Sequence, residues 1–454
     1  TAALRRGGPV VPLFVLPVPD TGAWALGAAA RWWLHHSLAA LDADLRARGA
    51  RLLLRVGDPA STVLAVAREV AAERVCFGRR YDPAGREEEA RLESLLRRAG
   101  IACEAQHTSL LLAPEETTRR DGGPYRVFTP FWNALRARLE PSFPTPAPVR
   151  IPAPAQWPEG ASLASLSLLP KKDWAKGLRE CWQPGEAGAV TLLRRFAEAE
   201  RVSEYAALRD RVDLEGTSRL SPHLRFGEVS PRQVWHAVFG HPGDEAFLRQ
   251  LAWREFAYHV LWHFPHTPEE PLRPQFARFP WREDADAFRA WCEGRTGYPL
   301  VDAGMRELWH TGWMHNRARM VSASFLTKHL LIPWQAGARW FWDTLVDADL
   351  ANNTFGWQWT AGCGADAAPY FRVFNPTAQG ERFDPHGAYV RRWVPELAHL
   401  PNRWIHRPWQ APPGVLTTAG VELGRSYPHP IVDHLAARNE TLEAFSRLRA
   451  GAEV

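Results

Sequence analysis

Sulfur is scarce in this chain: among 454 residues five are Cys and three are Met. The cysteines, Cys76, Cys103, Cys181, Cys292 and Cys363, stand far apart, with no CxxC pair and an odd total. That excludes a disulfide-stapled scaffold and a thiolate metal cage, and predicts reduced, buried thiols and no metal site. No apolar run reaches about 18 residues, so no membrane-spanning helix is expected, and no signal-peptide pattern is read. A cytoplasmic protein is the expectation. Charge of one sign is also lacking: 55 Lys+Arg against 50 Asp+Glu leaves +5, which admits an anionic partner such as nucleic acid without requiring one.

Tryptophan is abundant instead, with 22 residues, most of them after residue 250. For any single Trp, core packing is the first reading. At this length one hydrophobic core stops growing, so two domains are expected. The early chain alternates short apolar runs (Val10–Leu16, Arg51–Val56, Arg74–Phe77, Ile101–Gln106) with amphipathic helices (Trp32–Arg48, Ala60–Ala72, Arg86–Ala99). That βαβ rhythm predicts a Rossmann-like parallel sheet covered on both faces. The chain enters almost at once on a strand, so a leading piece of the sheet is expected to be missing. From Glu140 to Gly188 the composition turns to Pro, Ala and Ser, which cannot build a core and predicts an extended connection. Beyond it helical periodicity dominates. The expected division is an α/β domain over 1–130, a linker over 131–188 and an all-α domain over 189–454.

The densest chemistry lies between Thr311 and Trp359: TGWMHNRARM, a Trp-rich helical stretch, then DADLANNTFGWQW. Asp347, Asp349, Asn352, Asn353, Trp357 and Trp359 bring acceptors, amides and wide aromatic faces together, as a large planar redox ligand requires. GCGADA (Gly362–Ala367) spells GxGxxA but follows a helix instead of a strand, so it fails the context of a dinucleotide fingerprint. His259, His263 and His266 have ligand-like spacing without matching Cys or carboxylates, so satisfied helix histidines are expected. Thr217, Ser218 and Ser221 precede a predicted helix. They read as an ordinary cap or as donors for a diphosphate at a helix N-terminus. Arg254 stands beside Trp253, and Arg319 could pair with Asp347 if their helices face each other.

TSRLSP, QLAWREF, EGRTGYPLVDAGMRELWHTGWMHNRARM, DADLANNTFGWQW, PYFRVFNPTAQGERFDP and YPHPIVDHLAAR, in this order, resemble the DNA photolyase/cryptochrome family from about Val10 to Leu448. Among its branches the chain looks most like class I cyclobutane pyrimidine dimer photolyases, truncated before the family's opening strand. The resemblance implies an α/β antenna-type domain and a helical domain holding a U-shaped FAD. Tyr205, Thr217, Ser218, Leu220 and Ser221 would serve its diphosphate side. Arg254, Asp347 and Asp349 would serve the isoalloxazine and ribose side, with Arg319 paired to Asp347. Asn353 would face flavin N5, where an amide can hydrogen-bond but has no readily lost proton, which favours the fully reduced anionic flavin.

The same resemblance implies DNA containing pyrimidine dimers as the partner of a monomeric enzyme. Trp253 and Trp359 would wall a flipped dimer, Met320 would touch its ring, and Asn316 and Arg317 would meet its polar edge and phosphate. Trp357, Trp334 and Trp281 would pass electrons from the surface to photoexcited flavin. Gln250 departs from the Glu usual in dimer photolyases and is seen in the (6-4) and animal-cryptochrome branches. Yet the two pocket histidines of the (6-4) branch would fall at Asn316 and Met320. Arg79–Arg91 lacks the Asn-Glu pair of folate binders and looks more like flavin or deazaflavin binders, so a flavin-type second chromophore is expected. The implied activity is deoxyribodipyrimidine photo-lyase. The alternatives are a (6-4) photolyase, a cryptochrome-type photoreceptor, which normally adds a C-terminal tail, and, apart from the resemblance, a flavin-dependent electron-transfer or nucleotide-binding module. The last leaves Arg317, Arg372, Arg382, Arg391 and Arg392 unexplained.

Overall fold

The computed structural model describes residues 2–5, 7–18, 22, 24–366 and 371–450. Two compact units emerge, one built from Thr1–Val202, Ser218–Pro265 and Val346–Ala348, the other from Ser203–Thr217, His266–Leu345 and Asp349–Val454.

In the first unit, strands β1 (Leu13–Pro17), β2 (Leu53–Gly57), β3 (Arg74–Gly78) and β4 (Ala102–Gln106) alternate with helices α1 (Ala28–Ala47), α2 (Pro59–Glu69) and α3 (Pro83–Arg98). β1 starts after Pro12, whose ring nitrogen has no hydrogen to give to a ladder. α3 starts a turn earlier than its apolar stripe, because Asp82 accepts the Gly85 amide at 2.8 Å and Pro83 stands at the first helical position. All pairing is parallel, Leu13 opposite Leu53 and Arg74 opposite Ala102. Among the described residues the strands form two two-stranded sheets, β1-β2 and β3-β4. The Pro-rich stretch runs beside the first pair. Ala161 N donates to Leu54 O and Pro152 O accepts from Val10 N, both at 2.8 Å, so the connection covers backbone groups that an open sheet edge would expose. Leu38, Leu54, Leu166 and Leu168 fill one core cluster, and Ala60, Leu92 and Leu96 another.

The second unit is helical, and among the described residues the only bridge outside β1–β4 joins Leu423 and Tyr427. Its anchor is Asp302, wholly buried, whose carboxylate accepts from Thr296 N (2.7 Å), Thr296 Oγ1 (2.6 Å), Gly297 N (3.1 Å) and Tyr427 OH (2.7 Å). Four satisfied acceptor sites make such a burial tolerable. Gly297 has φ +79°, and a Cβ there would come within 2.4 Å of His429 O, which is why TGYP needs its Gly.

No helix is long and apolar enough to cross a membrane among the described residues. The cysteines are free thiols; Cys292 and Cys363 are buried as expected, whereas Cys76 and Cys103, on the two-stranded β3-β4 sheet, and Cys181, at the end of the short Lys176–Cys181 helix, are only half-buried.

Candidate functional site

The predicted site residues divide between the units. In the first, Ser218, Leu220 and Ser221 form the entry to the short Ser221–Arg225 helix, where Ser218 Oγ accepts from Leu220 N at 3.4 Å and Arg219 sits at φ +53°. Arg225 Nε donates to Ala348 O at 2.6 Å, which brings the Val346–Ala348 segment, and with it the buried Asp347, beside that helix. Behind the entry stands a hub that the sequence reading missed. Glu228 accepts from Trp33 Nε1 (3.0 Å) and Gly185 N (2.8 Å) and meets His223 Nδ1 at 2.5 Å. No spacing rule would have found it, since its partners lie 5 to 195 positions away.

The Asp244–His263 helix carries Gln250, Trp253 and Arg254. Trp253 lies face to face with buried Phe128, ring centroids 3.7 Å apart and planes 7° from parallel. Gln250 Nε2 donates to Ala246 O one turn back at 3.2 Å. Arg254 Nη1 donates to Ser109 O at 2.6 Å, and its guanidinium lies 4.9 Å from the Tyr258 ring centre. Beside it, Glu255 accepts from Leu111 N at 3.0 Å, and burial pushes its carboxyl up to about 7. His259 Nε2 accepts from Tyr125 N at 3.0 Å, with burial holding the ring down to about 3. It is a core histidine, and no metal-holding cluster of His, Cys, Asp or Glu occurs among the described residues.

In the second unit the Leu350–Ala361 helix is the organising element. Asp349 caps it, accepting from Asn352 N (2.9 Å) and Asn352 Nδ2 (2.6 Å). Asn353 Nδ2 donates to Ala338 O at 3.0 Å, on the Trp334–Thr344 helix. Gly356 is exposed, and a Cβ added there would meet nothing within 4 Å among the described residues; Asn352 and half-buried Trp359 lie on the same side of the helix. Gly362 ends the helix at φ +91° as a left-handed cap. Its place in GxGxxA is therefore a stop signal; Ala367 lies outside the described residues.

Trp357 and Trp334 are buried, and Trp281 is half-buried against Phe279 at 4.6 Å. The rings touching Trp357 are Phe341, at 4.9 Å, and Trp291, at 6.1 Å. Trp291 went unnamed in the sequence reading.

At the start of the Asn316–Lys328 helix, His315 Nδ1 accepts from Arg317 N at 3.1 Å, with burial holding the ring down to about 4. Glu307 fixes this turn by accepting His315 N (3.1 Å) and Tyr389 OH (2.6 Å). Asn316 is exposed, with its amide 3.7 Å from Met320 Sδ. Arg317 points inward, paired with Asp210 at 2.7 Å and lying 4.3 Å from the Phe383 ring centre. Arg319 Nε donates to Met314 O at 2.7 Å. Tyr205 is buried beside Arg209, which lies 5.7 Å from its ring centre, and Thr217 is half-buried.

Residues 1–149 match the family domain described as DNA photolyase, and residues 247–447 the one described as the FAD binding domain of DNA photolyase. The deoxyribodipyrimidine photo-lyase of Agrobacterium fabrum is 48% identical, spanning 99% of this chain and 94% of that protein. The chain belongs to the DNA photolyase/cryptochrome family. Cryptochrome-1 of Arabidopsis thaliana is 40% identical over 98% of this chain and 68% of its own length. A solved bacterial class III photolyase from Agrobacterium tumefaciens superposes with a TM-score of 0.95 at 47% identity, covering 99% of this chain and 94% of that one. The class I expectation finds no support in that relative, which is named class III.

An FAD-binding domain of the photolyase type implies FAD as cofactor, and the donor set fits it. The Asn353 amide is held in place on a helix whose Gly356 leaves its own Cβ position free, and the carboxylates and hydroxyls named above are the donors and acceptors that such a cofactor needs.

Proposed function

We propose that this photolyase-family protein is a class III type enzyme that splits cyclobutane pyrimidine dimers in DNA under blue light. The Asn353 amide, anchored to Ala338 O on a helix whose Gly356 leaves its own Cβ position free, is the observation that carries the reading. Reduced FAD held here would supply light-driven one-electron chemistry in which the electron is returned, with no net oxidation. The chain's own residues do the rest. Tyr205, Thr217, Ser218, Leu220 and Ser221 would hold the diphosphate side and Arg254, Asp347 and Asp349 the sugar and ring side, with Arg319 supporting Asp347 and the Asn353 amide serving the flavin ring.

Trp253, stiffened by Phe128 behind it, and Trp359 are the walls for an extruded dimer, with Gln250, Asn316 and Met320 at its edges. Extrusion costs a few kcal/mol, least for a damaged pair, and aromatic stacking returns about 1–3 kcal/mol per base. Arg317, paired with Asp210, clamps the Ser203–Thr217 segment onto this helix start. Trp281, Trp334 and Trp357 load electrons. The α/β part over 1–130 serves light harvesting by a flavin or deazaflavin chromophore at Arg79–Arg91, the stretch over 131–188 is the linker, and 189–454 carries the chemistry. The enzyme acts as a monomer on lesion-containing DNA in the cytoplasm.

The second reading is a cryptochrome-type photoreceptor, favoured by the 40% identity to Cryptochrome-1. Illuminating the reduced protein with oligonucleotides bearing cyclobutane or (6-4) lesions in separate reactions distinguishes the readings. Cyclobutane dimers should be repaired and (6-4) lesions not. Gln250→Glu should keep or raise dimer repair, because a carboxyl can share a proton as well as hydrogen-bond. Repair of (6-4) lesions would move the protein to that branch, and repair of neither would favour the photoreceptor.

A further inference from the structure

Gly337 lies in the interior of the Trp334–Thr344 helix, a buried position where glycine weakens a helix relative to alanine. Its backbone is ordinary helix, so freedom of φ does not explain it. Space does. A Cβ at Gly337 would stand 2.1 Å from Trp357 Cη2, 2.5 Å from Trp357 Cζ3 and 2.6 Å from Leu326 Cδ2. The Leu326 methyl could swing aside, but the indole is a rigid plate. Phe341 meets it at 70° with centroids 4.9 Å apart, and Trp291 at 68° and 6.1 Å. Both neighbours are themselves buried, Trp291 fully and with its Nε1 tied to Ser322 O at 3.0 Å. The six-membered end of Trp357 thus fits a notch in the Trp334–Thr344 helix that only glycine leaves open. One residue on, Ala338 O receives the Asn353 amide at 3.0 Å. Two adjacent backbone positions of one helix therefore set the pose of two residues, Asn353 and Trp357, one helical turn apart on the next.

We propose that Gly337 is a positioning residue for electron loading: its missing side chain seats the Trp357 indole. The inference rests on the proposed reading of Trp357 as one of the tryptophans that load electrons. With a methyl group in the notch, the ring must move along the Leu350–Ala361 helix or tilt. Electron transfer weakens with distance and with ring orientation, so either displacement slows loading of the flavin.

Gly337→Ala tests this through three readouts on FAD-loaded full-length protein. The rate of flavin photoreduction with an external donor should fall several-fold. Dimer repair by chemically reduced protein should stay near the parent's rate, because repair does not use the relay. Thermal stability should fall, and in a Trp357→Phe background, where the clashing ring end is gone, Gly337→Ala should no longer destabilise. Should Gly337→Ala alone fail to fold, recovery of folded, FAD-loaded protein in the double variant supports the notch, and failure to recover overturns it. Photoreduction unchanged in Gly337→Ala but abolished in Trp357→Phe overturns the inference while leaving the relay intact. Photoreduction surviving in Trp357→Phe overturns the relay reading itself, and with it the role of Gly337.

Discussion

The side-chain amide of Asn353 donates to the backbone carbonyl of Ala338 at 3.0 Å, tying two helices together at the residue assigned to flavin N5. Asn353→Asp replaces the donor with a carboxylate, which repels that carbonyl. We expect a loss of about 1 kcal/mol of stability, the scale of one half-buried hydrogen bond, and an altered spectrum of the photoreduced protein. Thermal unfolding and spectra recorded through photoreduction check both; superimposable spectra would place Asn353 away from the flavin.

Glu255 gives a pH signature. Burial raises its folded-state carboxyl from an ordinary 4.5 to about 7, so between those values the native protein keeps a proton that the unfolded chain has lost. Stability must then fall as pH rises through that window, by a few kcal/mol in order of magnitude. Glu255→Gln removes the titration and should flatten the urea midpoint between about pH 4.5 and 7. An equally sloped profile in the variant would assign the dependence to other groups.

Arg317 offers a contrast between two roles. A guanidinium facing DNA phosphate would contribute about one unit to the slope of log affinity against log salt. Its pairing with Asp210 at 2.7 Å predicts instead that Arg317→Ala changes the slope by well under a unit, while lowering stability and FAD retention. Binding titrations across salt, with FAD fluorescence alongside, measure this. A full unit lost from the slope would mean that the pair opens when DNA binds.

Much of the fold was legible because it rests on local rules. The four apolar runs became β1–β4, and Pro12, Asp82-Pro83 and Gly362 mark ends that the chemistry of proline, caps and left-handed glycine dictates. The site was legible as a set of residue types but not as a set of partners. Ala338 contributes only a carbonyl oxygen, which every residue has, so nothing in its identity announces the bond to Asn353. Glu228 gathers groups from distant stretches, and Trp291 meets Trp357 through ring geometry that spacing does not encode. The pairing of Arg317 with Asp210, more than a hundred positions earlier, is likewise a partnership that spacing does not encode.

The central claim is photochemical, and one measurement reaches it directly: recovery of thymine absorbance in a single-stranded oligonucleotide carrying cyclobutane dimers, with protein whose FAD is fully reduced. The account predicts recovery under blue light, none in the dark, and many dimers opened per protein molecule without consumption of reductant, since each electron returns. No recovery under light with the flavin reduced, or recovery that consumes one reducing equivalent per dimer, would contradict it.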